Sequence, residues 1–111
     1  MYCFHEKIPK DDIGGGVLFQ HLGTGTDMTV FHWNMTDGSV VKLHQHPNEQ
    51  FGYVIKGGFK MTIDNEFAEL KAGDAYFIPS DVPHTFTAVG ETEAIDIFSP
   101  IKTDFPWQDK K

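Results

Sequence analysis

The chain has 111 residues, a formal charge of −7 and hydrophobic residues at 40% of positions, enough for one core but not two, so a single domain over residues 1–111 is expected. The acidic balance excludes non-specific DNA or RNA binding, which needs a basic footprint. It leaves room for an anionic small molecule wherever a bound metal or a local lysine reverses the sign.

Cys3 is the sole cysteine, so no intramolecular disulfide can form. The start, "MYCFHEKIPKDDIGGG", carries charges where a secretory signal needs an apolar run. No stretch reaches the length of a membrane span, so a soluble cytoplasmic protein without membrane or nucleic-acid partners is expected. Apart from a possible short turn near the N-terminus, no segment has helical periodicity.

Short β-type segments follow at 17–22, 28–35, 40–46, 50–56, 59–64, 67–71, 75–79, 84–89 and 93–98. Several alternate with the period of two expected when one face is buried, as in Phe59, Met61 and Ile63 against Lys60, Thr62 and Asp64. The turn signals "DG" (37–38), "KGG" (56–58), "DN" (64–65) and "AGD" (72–74) punctuate them. Many short strands in one small chain predict an all-β barrel or jelly roll, whose inward side chains converge on one axis.

Within this frame His44 and His46 stand two apart and share a strand face. Neutral imidazole is a good ligand for divalent transition metals, and the amide oxygen of Gln50 can add a neutral one. His84 opens a later segment, just after Pro83. Taken alone, His-x-His leaves ligation and an ordinary solvated pair both open. His5, His21 and His32 read as ordinary solvated or hydrogen-bonded side chains.

The spacing around these residues resembles the cupin superfamily. Its first motif is matched by Gly38, His44, His46, Gln50 and Gly57, with Gln in place of Glu. Its second is matched by Gly73, Pro79 and His84, with Asp81 and Ala88 replacing Gly and Asn. The resemblance implies a double-stranded β-helix, the jelly-roll barrel of cupins. It also implies one divalent transition metal (Ni, Zn, Fe, Mn or Cu) on His44, His46, Gln50 and His84. An amide cancels none of the ion's charge, so a Gln site would be a stronger Lewis acid and anion trap than a Glu site.

The closing segment "EAIDIFSP" puts Ile95 and Ile97 on one face and Ala94, Asp96 and Phe98 on the other. Its residues do not say which face is inward, and an outward Asp96 would be an ordinary surface acid. Together "GGGV", "HQHPNEQ" and "IDIFSPIKTDF" resemble small sugar cupins of the pectin-degradation (KdgF) type. That resemblance implies conversion of 4,5-unsaturated uronate monosaccharides, anionic sugars, to linear keto forms. It implies Asp96 as catalytic acid/base, Phe98 as a pocket wall and Lys102 where that family has arginine. Phe86, on the His84 face, is a further candidate wall residue. Metal-dependent oxygenation of a small organic substrate, and non-enzymatic metal or sugar binding, are the alternatives this fold admits. Small cupins pair through an N-terminal strand, so a homodimer through residues 13–22 is implied. Phe105 and Trp107 would either tie down the tail or leave it frayed.

Overall fold

The computed structural model describes residues 1–103. A 3-10 turn at His5–Lys7 precedes eight strands. They are β1 (Asp11–Gly14), β2 (Val17–Thr24), β3 (Thr29–Met35), β4 (Val40–His44), β5 (Glu49–Ile63), β6 (Glu66–Lys71), β7 (Ala75–Ile78) and β8 (His84–Ser99). All pairings are antiparallel. Among the described residues no helix is long and apolar enough to cross a membrane.

Two long strands organise the jelly roll. β5 and β8 pair along almost their whole lengths, from Glu49↔Ser99 to Ile63↔His84. The first half of β5 and the second half of β8 join β7, β3, β2 and β1 in one half-sheet. The remaining halves join β6 and β4 in the other. The core fills the space between, with Phe19 edge-on to Phe31 and Trp33 at 4.4 and 4.8 Å, and Phe59 edge-on to Phe86 at 4.9 Å. Edge-on packing sets the positive rim of one ring against the negative face of the next.

The expected alternation is visible in β5, where Phe59 and Met61 are buried while Lys60 is exposed. The expected turn at 56–58 is instead a bulge inside one continuous strand. Gly57 adopts φ +73°, and a Cβ there would meet Glu91 and Thr92 of β8. The glycine accommodates a close crossing that no side chain fits. The register slips between Val54 and Gly58, so Gln50, Gly52 and Val54 face inward before it and Phe59 and Met61 after it. The segments read as 84–89 and 93–98 likewise form one strand, β8.

Candidate metal centre

Three strand ends meet at one mouth of the barrel. His44 closes β4 opposite His84, which opens β8, and His46 follows in the loop that leads to Gln50 on β5. The imidazole centroids lie 4.2 Å apart for His44 and His84, 4.8 Å for His46 and His84, and 5.6 Å for His44 and His46. One ring nitrogen from each of the three falls within 4.8 Å of the others.

Hydrogen bonding fixes how the rings are turned. His44 Nδ1 donates to the Lys42 carbonyl at 2.7 Å, His46 Nδ1 to that of Asn48 at 3.0 Å, and His84 Nδ1 to that of Val82 at 2.8 Å. A carbonyl accepts only, so each Nδ1 carries the hydrogen and each neutral ring keeps its lone pair on Nε2. Burial pushes the His84 pKa down to about 4 and also lowers that of His46, holding both in the neutral, ligating form at pH 7.

This donor set fits a cation. His84 Nε2 is buried and has no hydrogen-bond partner. His46 Nε2, already a lone pair, stands 3.1 Å from Gln50 Oε1. Turning the Gln50 amide over would relieve that pairing but would aim its oxygen at the Asp96 carboxylate, to which the amide is hydrogen-bonded. Asp96 therefore keeps the NH2 on its own side and the oxygen among the imidazoles. Lone pairs converging without hydrogens are what a divalent metal site requires, so His44, His46 and His84 could hold one.

Asp96 lies on the inward face of β8 with Ala94 and Phe98, and is 1% exposed. Burial raises its pKa to about 6, against the hydrogen bonds of Tyr76 and Gln50 and the nearby Trp33 N–H, which favour the carboxylate. The Tyr76 hydroxyl donates to Asp96 Oδ1 at 2.6 Å. Trp33 Nε1–H is close enough to act on the carboxylate, yet makes no well-formed hydrogen bond. The enclosed space between Asp96 and the imidazoles is ≈ 60 Å³, walled by Phe31, Phe86 and Phe98 with Lys102 at its edge. A larger cavity of ≈ 560 Å³ opens on another side of the barrel, along Ile63, Leu70 and Phe77. Among the described residues it holds no cluster of the kind formed by His44, His46 and His84.

The residues singled out from sequence thus gather in one place: His44, His46, Gln50, Phe86, Asp96, Phe98 and Lys102 all line this pocket, and His84 abuts it. Lys102 Nζ sits 5.3 Å from the centre of the Phe98 ring. Its backbone N–H donates to Thr29 Oγ1 at 2.9 Å, and Asn48 Nδ2 donates to the Pro100 carbonyl at 2.6 Å. These two bonds hold the last described segment over the pocket. His5, His21 and His32 lie outside the cluster; His32 is buried between Gln20 (2.8 Å) and Glu93 (2.6 Å). Sequence reasoning missed Tyr76, Trp33 and Asn48. Alternation of Tyr76 with Ile78 offered a signal for an inward hydroxyl. Phe105 and Trp107 lie outside the described residues.

The sequence matches the Cupin domain family (Cupin_2) over residues 31–98. It is 28% identical over 106 residues to the pectin degradation protein KdgF of Dickeya dadantii, covering 94% of this chain and 96% of that one. An RmlC-like cupin from Shewanella frigidimarina superposes with a TM-score of 0.90 at 33% identity, covering 94% of both chains. KdgF from a Halomonas species superposes with a TM-score of 0.88 at 26% identity, covering 92% of this chain and 96% of that one.

Proposed function

We propose, from the premise that the chain belongs to the Cupin domain family, that it converts 4,5-unsaturated uronate monosaccharides into linear keto forms. The observation that carries this reading is the single amide of Gln50, whose oxygen faces the imidazoles and whose NH2 faces buried Asp96. An acid/base group and a cation-holding cluster are thereby one side chain apart. The relative named for pectin degradation supports the substrate class.

A divalent transition metal held by His44, His46, His84 and Gln50 would supply a Lewis acid for the sugar's oxygens. Ionised Asp96 takes the proton of the anomeric hydroxyl as the bond between C1 and the ring oxygen breaks, leaving an aldehyde and an enolate. The carboxyl then returns that proton to C4, and the former ring oxygen becomes the C5 ketone. Atoms and electrons balance with no further reactant. A pKa of about 6 suits a group that must both take and give a proton near neutrality.

Other residues orient the sugar. The enclosed depth admits one end of the ring, leaving the rest at the mouth beside exposed His44 and half-buried Lys102. The Lys102 ammonium meets a carboxylate there as a point charge, without the two-pronged grip of arginine. Phe86 and Phe98 exclude water from the reacting carbons. The same reading includes a homodimer formed through residues 13–22, which run from the end of β1 into β2, since β1 is an outer strand of its sheet.

Loss of the conjugated double bond of 4,5-unsaturated galacturonate, followed in the ultraviolet, tests the activity. The metal-loaded protein should accelerate it, and Asp96→Asn should slow it by on the order of 100-fold. No acceleration over the spontaneous reaction, with metal bound, removes this substrate and turns the search to oxygen uptake.

A further inference from the structure

We propose that Tyr76 is a positioning residue for Asp96: its hydroxyl pins one carboxylate oxygen so that the other alone works on the substrate. The role rests on the proton shuttle proposed above, but the contact itself can be measured without turnover.

The geometry begins with strand register. Tyr76 on β7, Gly52 on β5, Asp96 on β8 and Phe31 on β3 form one row across the half-sheet, because Gly52 pairs with both Tyr76 and Asp96, and Asp96 with Phe31. Tyr76 and Asp96 are thus two strands apart, about 10 Å between backbones. They meet only because the residue between them has no side chain. A Cβ on Gly52 would run into the Tyr76 ring and hydroxyl. Glycine weakens a strand interior, and its presence there marks a close approach by something else. Here the tyrosine ring lies in the slot and carries its hydroxyl across to Asp96 Oδ1, 2.6 Å away.

The hydroxyl does more than fill space. A phenylalanine at 76 would seat the same ring over Gly52 and lose only the hydrogen bond. Tyr76 is itself buried, and no other hydrogen bond of its hydroxyl is found among the described residues. With Oδ1 held, rotation of the carboxyl is stopped. A shuttle that must collect a proton from one atom of the sugar and deliver it to another needs that fixed orientation.

Tyr76→Phe tests the role on zinc-loaded protein. The expected result is a fall in kcat of on the order of 10- to 100-fold with KM within about twofold, because orientation of the reacting group is lost while binding is kept. A cooperatively folded variant that binds one zinc per chain would separate this from a structural defect, the lost hydrogen bond itself accounting for a modest drop in stability. Carbon-13 NMR of the tyrosine Cζ atoms gives the second readout. The chain has three tyrosines, and Tyr76→Phe assigns the relevant signal by its disappearance. That signal should stand apart from those of Tyr2 and Tyr53 and move when Asp96→Asn replaces the carboxylate. A wild-type kcat in Tyr76→Phe would overturn the proposal while leaving the uronate reading intact. A Tyr76 signal indifferent to Asp96→Asn would also overturn it. Absence of wild-type turnover would sink the uronate reading alone, and the NMR shift would still decide whether Tyr76 holds Asp96.

Discussion

Replacing Asp96 by asparagine should make the metal-free protein more stable at pH 8 while slowing turnover by on the order of 100-fold. Asp96 is 1% exposed, and burial raises its pKa from 3.8 to about 6. The folded chain therefore binds the proton more tightly than the unfolded one. Its stabilising effect is complete below pH 3.8 and is lost as pH rises to about 6. A shift of about two units corresponds to about 3 kcal/mol by which the ionised group disfavours the fold above that window. Asparagine has no charge to bury and still offers Tyr76 an acceptor. Its own N–H groups face the donors of Gln50 and Trp33, which takes back about 1 kcal/mol. The net gain of about 2 kcal/mol should raise Tm by roughly 5–10 °C in a domain of this size. The assay is thermal unfolding of chelator-treated wild type and variant at pH 8 and at pH 4.5. Histidine protonation destabilises both proteins equally at the lower pH, so only the difference between them is read. The gain should be present at pH 8 and largely gone at pH 4.5. A variant no more stable than wild type at pH 8, or a gain independent of pH, would refute the account of Asp96 as a strained carboxylate.

Two further outcomes follow from the same pocket. Calorimetric titration with Ni²⁺ at pH 7.5 should give one ion per wild-type chain. His46→Ala should bind weakly if at all, because His46 and Gln50 present adjoining lone pairs to the same point; undiminished binding would move the metal elsewhere. Lys102→Ala should raise KM for the uronate with kcat little changed, and Lys102→Arg should restore or improve binding through its two-pronged grip. A loss confined to kcat would place Lys102 in the chemistry instead.

The histidine cluster was legible in the sequence because its spacing is a property of strands and turns. His44 and His46 are two apart, and Gln50 follows at the start of the next strand. Asp96 was harder. Ile95 and Ile97 make the opposite face of β8 apolar too, so alternation separates the two faces without saying which is inside. Only the neighbours decide this, with β3 and β5 turning Phe31 and Gly52 toward Asp96. The "KGG" segment showed where the backbone needs freedom but not that partner strands continue on both sides, so a bulge read as a turn. Alternation with Ile78 marked Tyr76 as inward, but its pairing with Asp96 was illegible for a related reason. Its partner is 20 positions away and is reached over an empty place at Gly52, and an absent side chain has no chemical signature of its own.

The irregular stretch between Val54 and Gly58 makes the chain unusually sensitive to a change in length there. Within it β5 exchanges inward positions, from Gln50, Gly52 and Val54 to Phe59 and Met61. An in-frame deletion of one codon in this stretch would carry the following half-strand into the phase of the preceding half. Phe59 and Met61 would then face water, and Lys60 would enter the core, since a slip of one residue inverts a strand. Gln50 and Asp96 would keep their own codons and still lose the barrel that brings them to the imidazoles. In the inheritance of this gene, a side chain placed at Gly57 or Gly58 would collide with backbone of the neighbouring strand, and loss of a triplet there would act as a null allele.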